Sequence, residues 1–127
     1  IKIAFEKLTG TKDTQYFHVN ESYPKEVGIS LEMLKESNYL NETNKKYLFD
    51  IMSNTSFDNR ISDHLNEDLI FSHKIGSWGT TGSWHDCGLV YNETGSTKLV
   101  VCLMTKNTTY AQMLEAGKDI ATFINVW

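Results

Sequence analysis

The sequence predicts a single α+β domain in which helices pack against an antiparallel sheet of three strands. Two segments in the first half of the chain and one at its end carry apolar residues at helical spacing. Between them lie three short segments with the apolar and β-branched residues of strands, separated by turn residues. The length of 127 residues, with 40% apolar and 22% charged residues, suits one ordinary domain with one core.

Composition and charge exclude several functions. A formal net charge of -4 without any basic run argues against a nucleic-acid partner, whose phosphates need a positive face. No stretch approaches the roughly 20 apolar residues of a membrane span. The first seven residues carry charges throughout, so they are not a signal peptide, and the chain begins without Met. We therefore expect it to start inside a longer gene product.

The helical elements come first in the chain. Residues 1–21 are predicted to be an N-terminal remnant and loop, with the end of a helix at 1–7 and a short strand at 15–19. Pro24, with Ser22 as a candidate cap, begins a helix that extends to about Ser37, and Asn41 caps a second helix. Residues 55–68 are polar, with a short helical turn expected near Ile61. The apolar faces of the two helices are predicted to be Val27, Leu31 and Leu34, and Tyr47, Leu48, Ile51 and Met52.

Three strands are predicted at 69–75, 84–92 and 98–105. A four-residue loop at 93–96 joins the last two and pairs Asn92 with Thr97. In that register Cys87 faces Cys102, and the pairs Leu89–Val100 and Val90–Leu99 make both faces apolar, so both need covering. Thr108 or Thr109 begins the last helix. Its apolar stripe comprises Tyr110, Met113, Leu114, Gly117, Ile120, Ala121 and Ile124.

The two cysteines, Cys87 and Cys102, are too few for a disulfide-dense scaffold and do not form a zinc-site pattern. No metal site and no cofactor are expected. A cross-strand disulfide between them is usually strained, so the alternatives are such a disulfide or two buried thiols. We expect buried thiols.

The candidate site lies where the first strand ends, at Lys74 and Gly76. A lysine next to a residue without a side chain can hold an anion while a ligand lies along the exposed backbone. His73 precedes Lys74, so its side chain points away from the site, and we expect a packed or surface histidine. Trp78 and Trp84 flank the following turn and either line the rim of the site or cover the edge of the sheet.

His85 and Asp86 resemble half of a catalytic triad, but neighbours on a strand face opposite sides, which argues against a relay. We expect Asp86 to bond a backbone group or Arg60, the only arginine in the chain.

Residues 22–127 resemble the C-terminal half of the serine β-lactamases and penicillin-binding proteins, class A type. The motifs that carry the resemblance are Lys74-Ile75-Gly76 on a strand, the segment from His85 to Tyr91, the hairpin, the last helix, and Ser22-Tyr23-Pro24 at the start of a helix. In that family a Lys-Thr/Ser-Gly strand forms one wall of the cleft. The resemblance implies that Lys74 binds the substrate carboxylate and supports proton transfer.

The resemblance also implies roles for the next three residues. Gly76 would let the substrate approach the strand, the backbone N–H of Ser77 would be one oxyanion-hole donor, and Trp78 would line the rim. Ile75 departs from the pattern, because the family usually places a hydroxyl there. The nucleophilic Ser-x-x-Lys is also missing. The only such string, Ser22 to Lys25, contains Pro24 and aligns with a different element, and there is no Ser-Asp-Asn.

The function implied by the resemblance is acyl transfer on a β-lactam or a peptidoglycan-like amide, with Lys74 as the catalytic residue of this chain. The chain alone is expected to be inactive and to need the missing N-terminal half of the fold as its partner. An exported or cell-envelope location and a role in antibiotic resistance follow from the same likeness. The alternatives are a non-catalytic binding module that forms a homo-oligomer or domain swap, and an esterase relative, which Ile75 favours.

Overall fold

A computed structural model describes residues 22–94 and 96–127. Within these residues, three α-helices, α1 (Pro24–Glu36), α2 (Glu42–Ser53) and α3 (Tyr110–Val126), accompany the strands β1 (Leu69–Trp78), β2 (Ser83–Asn92) and β3 (Thr97–Met104). The strands form an antiparallel sheet in the order β1-β2-β3. The predicted α+β class and three-stranded sheet are confirmed. The helix and strand expected within residues 1–21 lie outside the described residues.

The helix ends follow local capping chemistry. Pro24 occupies the first turn of α1 as predicted, but the N-cap is Tyr23 rather than Ser22. The Asn41 side chain accepts a hydrogen bond of 2.8 Å from the Asn44 N–H and so begins α2 as expected. Thr109 begins α3 in a reciprocal capping box with Gln112. The short helical turn expected near Ile61 is a 3-10 turn at Ser62–His64.

The buried face of α2 differs from the prediction. Met52 packs against the sheet as predicted, together with Phe49, but Tyr47 and Ile51 are 69% and 53% exposed. The buried stem of Lys45 completes that inner face, and its ammonium group bonds Glu42 at 2.9 Å. Helix α2 therefore has two rows of residues at helical spacing, Tyr47 with Ile51 and Lys45 with Phe49 and Met52. Contact with β1 decides that the second row is buried.

The two long strands exceed their predicted lengths. Trp78 pairs with Ser83, so only the segment Gly79–Gly82 remains as the turn. Gly82 adopts a φ of 57°, and a Cβ there would lie 2.5 Å from the Thr108 carbonyl oxygen. This close approach anchors the turn to the segment that precedes α3.

The β2–β3 register is confirmed at Cys87–Cys102, Leu89–Val100 and Val90–Leu99. Beyond Val90 the ladder is irregular, and Thr97 pairs with Tyr91, so the predicted pairing of Asn92 with Thr97 is wrong. The Asn92 side-chain oxygen instead accepts bonds from the N–H groups of Thr94 and Ser96. The Asn92 N–H also donates to the Ser96 carbonyl oxygen at 3.3 Å, so an Asx-type turn closes the hairpin with the register shifted by one residue.

Each face of the sheet carries its own core. Helices α1 and α2 cover one face, where Leu31, Cys87 and Leu89 are buried. On the other face Phe71, Val90 and Val101 pack with Ile61 and with Ala121 and Ile124 of α3. As predicted, both faces of the β2–β3 hairpin are apolar and covered.

Cys87 and Cys102 form a disulfide, with their Cα atoms 4.1 Å apart. The expectation of two buried thiols is therefore wrong. Direct cross-strand pairing brings the two Cβ atoms close together, and the bond lies within the core under α1 and α2.

No helix in residues 22–94 and 96–127 is long and apolar enough to cross a membrane.

Candidate functional site

The predicted site residues lie together at the end of β1, an edge strand of the sheet that the described residues form. Because side chains alternate along a strand, Lys74, Gly76 and Trp78 share the face that α1 and α2 cover elsewhere. Lys74 is exposed, and its ammonium group bonds its neighbour's carbonyl, Ile75 O, at 2.6 Å. Ser77 lies between them on the opposite face. Along this face the strand therefore presents the ammonium group of Lys74, then Gly76 without a side chain, and then the indole of Trp78.

His85 fills the gap in this row. It pairs with Gly76 across the sheet, and a Cβ on Gly76 would lie 3.3 Å from His85 Cδ2. The side chain is half-buried, and its Nδ1 accepts a bond of 3.3 Å from the Thr105 N–H. Burial lowers the pKa of His85 below its ordinary value of 6.5. A bond with the backbone of Trp84 opposes this shift, and the charge of Arg60 adds to it.

The lowered pKa of His85 predicts a pH dependence of stability. The unfolded chain, with an ordinary histidine pKa, takes up a proton at a higher pH than the folded chain does. The free energy of unfolding should therefore fall as the pH drops from about 7.5 through 6.5 towards the lowered value. Urea unfolding at pH 7.5 and 5.5 should show a smaller fall for His85→Gln than for the wild type. An equal fall in both proteins would contradict this assignment.

Arg60 binds the end of β1 on the face opposite to Lys74. It is only 3% exposed, and its guanidinium group donates to the carbonyl oxygens of Gly76 and His85 and, at 2.6 Å, to Ser77 Oγ. The guanidinium carbon also lies 5.6 Å from the centre of the Tyr110 ring. Arg60 therefore fixes both strand ends and the side chain of Ser77.

Asp86 bonds His73 rather than a backbone group or Arg60, so that expectation is wrong. Its Oδ1 lies 2.6 Å from His73 Nδ1, and both side chains are fully buried. The other ring nitrogen of His73 lies 3.4 Å from Asp58 Oδ1. His73 faces away from Lys74, as predicted. Gly88 makes room for this pair, because a Cβ there would lie 2.6 Å from the His73 Cβ.

The two tryptophans that flank the turn have different surroundings. Trp84 packs against Tyr110, with ring centres 5.0 Å apart, and its Nε1 donates to Thr108 O at 3.2 Å. It therefore covers the edge of the sheet. Trp78 is 65% exposed and remains at the rim, on the same face of β1 as Lys74 and Gly76.

Sequence reasoning missed Arg60 and His85 as parts of this site. The only signal for Arg60 was its being the sole arginine, and His85 was considered only as a partner of Asp86. Within the described ranges, no three His, Cys, Asp or Glu side chains cluster closely enough to hold a metal ion.

The sheet, its two covered faces and the Lys74 strand define a class of protein, that of the serine β-lactamase fold. A sequence model described as "Beta-lactamase enzyme family" matches residues 2–125. The chain belongs to this family.

Solved structures with the same fold include penicillin-binding and β-lactamase proteins. PBP-A superposes with a TM-score of 0.79 at 16% identity, over 98% of this chain and 50% of its own. The β-lactamase from Francisella tularensis gives 0.79 at 20% identity, over 98% and 55%. A PBP-A variant solved as an acyl-enzyme complex with penicillin G gives 0.78 at 17% identity, over 98% and 50%. These identities establish a common fold.

The chain spans about half the length of these neighbours. A search of curated protein sequences found no significant match.

Proposed function

We propose that this chain supplies the Lys74 wall of the cleft in a β-lactamase-like serine hydrolase. The enzyme would transfer the acyl group of a β-lactam or of a peptidoglycan-type amide. The observation that carries the proposal is the exposed Lys74 at the open end of an edge strand, in a chain of the β-lactamase family. The PBP-A variant with the same fold forms an acyl-enzyme with penicillin G, which supports the substrate class.

Each site residue has a physical role in this proposal. The ammonium group of Lys74 attracts the substrate carboxylate and favours proton transfer by its charge. The N–H of Ser77 donates to the developing oxyanion, and Arg60 keeps Ser77 in place. Gly76 adds no side chain of its own to this face of the strand, and Trp78 offers an apolar surface at the rim.

The nucleophile belongs, in this proposal, to the N-terminal half of the fold. The Ser22-to-Lys25 string begins helix α1 with Pro24 in its first turn, so the string does not have the helical geometry of a Ser-x-x-Lys nucleophile motif. The half-length coverage of the solved neighbours supports the need for a second segment. The chain alone is then a binding wall without a reaction centre.

A fluorescent penicillin tests this proposal. The chain alone should not be labelled covalently, whereas a preparation that also contains the polypeptide encoded directly upstream should be. Lys74→Ala should slow labelling at least about a hundredfold, because the cation acts on charge that develops in the transition state. Lys118→Ala, on the exposed face of α3, is the matched control and should label at the wild-type rate. Labelling of the isolated chain would refute the proposal that the nucleophile belongs to the N-terminal half of the fold.

A second candidate is a non-catalytic, self-associating module. It is favoured by the exposed apolar side chains Tyr47 and Ile51 on α2 and Phe123 and Val126 on α3. Light scattering that finds a folded monomer would contradict this candidate. An esterase relative would hydrolyse p-nitrophenyl acetate faster than a cephalosporin in the completed protein.

A further inference from the structure

We propose that a buried water molecule joins Arg60 to Asp86 on the face of the sheet opposite to Lys74. The water accepts a hydrogen bond from the Nε–H of Arg60 and donates one to Oδ2 of Asp86. The ligand of this site is therefore a small neutral molecule that is both donor and acceptor. The site lies outside the Lys74 wall, and the inference goes beyond the proposed function.

The first observation is a pair of complementary polar atoms that are buried without a partner. Among residues 22–94 and 96–127, neither Arg60 Nε nor Asp86 Oδ2 has a hydrogen-bond partner. Arg60 is 3% exposed and Asp86 is not exposed at all, so bulk solvent does not hydrate these atoms. Buried polar atoms of folded proteins are nearly always paired with protein or with ordered water. Because Nε–H is a donor and Oδ2 an acceptor, one water molecule satisfies both.

The second observation is that the two side chains lie beside each other. The guanidinium group of Arg60 donates to the carbonyl oxygen of His85, which covalent geometry places about 3 Å from the Cα atom of Asp86. The same group donates to Ser77 Oγ at 2.6 Å. Ser77 lies two positions beyond Ile75, the partner of Asp86, so Ser77 and Asp86 are diagonal neighbours on one face. The guanidinium group is therefore close to the carboxylate.

The third observation is that the two groups do not bond each other directly. Asp86 binds His73 through Oδ1, and the guanidinium bonds found in the described part of the chain all go to neutral oxygen atoms. A buried guanidinium group is charged and gains from a neighbouring carboxylate. Where such a contact exceeds hydrogen-bond length, a bridging water is the expected link. Two polar partners are also the minimum that a buried water needs.

The water connects two sets of bonds beneath the end of β1 into one network. On one side His73 bonds Asp86 at 2.6 Å and lies 3.4 Å from the partly exposed Asp58. On the other side Arg60 bonds both strand ends and Ser77. The bridge makes Asp86 the counter-charge of Arg60.

A crystal structure of the chain, at a resolution that shows ordered water, tests the site directly. We expect a density peak about 2.7–3.2 Å from both Arg60 Nε and Asp86 Oδ2. A direct bond between these two atoms, or a space between them without density, would overturn the proposal.

The Arg60 side chain provides an independent readout in solution. It is the only arginine of the chain, so its Nε–H gives a single NMR signal. A long-lived buried water should give a cross-peak between this signal and the water resonance, with opposite signs in the laboratory-frame and rotating-frame spectra. Absence of this cross-peak, or equal signs that indicate proton exchange alone, would contradict the buried water.

Two matched substitutions identify the acceptor of the water. Asp86→Asn replaces the carboxylate by a neutral amide of the same shape, so the Arg60 Nε–H bond weakens and its signal should move upfield. Asp58→Asn makes the same change at the other nitrogen of His73 and should leave the signal in place. An unchanged signal in Asp86→Asn, or equal shifts in both variants, would refute the link to Asp86.

Chemical shift dispersion establishes that each variant is folded. If Asp86→Asn does not fold, the density and the cross-peak of the wild type decide. Since none of these measurements uses a β-lactam, their failure and that of the proposed function are distinguishable.

Discussion

Replacing Gly117 by alanine should destabilise the protein by about 2 kcal/mol, because the new methyl group would overlap a carbonyl group of the backbone. A Cβ at this position of α3 would lie 2.1 Å from the Arg60 carbonyl oxygen and 2.9 Å from its carbon. Backbone atoms cannot rotate away, so α3 and the segment at Arg60 must separate. The overlap outweighs the gain of up to about 1 kcal/mol that alanine brings to a helix interior. Urea unfolding measures the difference.

Gly28→Ala in α1 is the matched control for that substitution. Its Cβ would meet only Val100 Cγ1, at an ordinary 3.5 Å, so the helix gain should dominate and stabilise the protein by about 0.5–1 kcal/mol. Opposite signs for the two variants would show that the contact with Arg60 decides the effect. If Gly117→Ala were as stable as Gly28→Ala, the close packing of α3 on Arg60 would be refuted.

The fold class and most of the strand register could be predicted because they depend on local patterns. A four-residue loop with strands on both sides fixes the pairing of Cys87 with Cys102 and of its neighbours. The register failed only next to the loop, where the Asn92 side chain competes with the ladder for the backbone N–H groups. Thr109 was one of two candidate caps, and the structure selects it.

Neither the exposed face of α2 nor the contacts of Arg60 with the site could be predicted, because both depend on contacts between distant segments. Tyr47 and Ile51 have helical spacing, but so do Lys45, Phe49 and Met52, and only the position of β1 distinguishes the two rows. A sequence pattern also treats a buried lysine as surface.

At the site, too, sequence patterns found the local feature but not the contacts between distant segments. Lys74 was found from a motif on its own strand, whereas Arg60 reaches Gly76 and His85 across 16 and 25 residues of sequence. No spacing rule connects an arginine to particular backbone carbonyls. The His73–Asp86 pair was missed for a related reason: it is a diagonal contact between paired strands, and Asp86 was assigned by charge alone to the arginine.

Removing the disulfide should have the largest effect on stability among these changes. The bond joins residues separated by 15 positions. Without it the unfolded chain gains conformational entropy, which lowers the free energy of unfolding by about 3 kcal/mol for a loop of that length. Cys87→Ala/Cys102→Ala also removes two sulfur atoms from the core around Leu31 and Leu89. The free energy of unfolding in urea should therefore fall by about 3 kcal/mol or more.

Reduction of the wild-type protein separates the two causes of that loss. Dithiothreitol opens the bond but leaves both sulfur atoms in place, so the reduced protein should lose the chain-entropy contribution alone and lie between the oxidised protein and the double variant. The reductant should have no effect on the double variant. Because the entropy term acts on the unfolded chain, the folded reduced protein should retain its NMR dispersion and the pairing of Cys87 with Lys74. Coincident urea curves for the oxidised and reduced wild type would show that the cysteines are free thiols, as expected from the sequence alone.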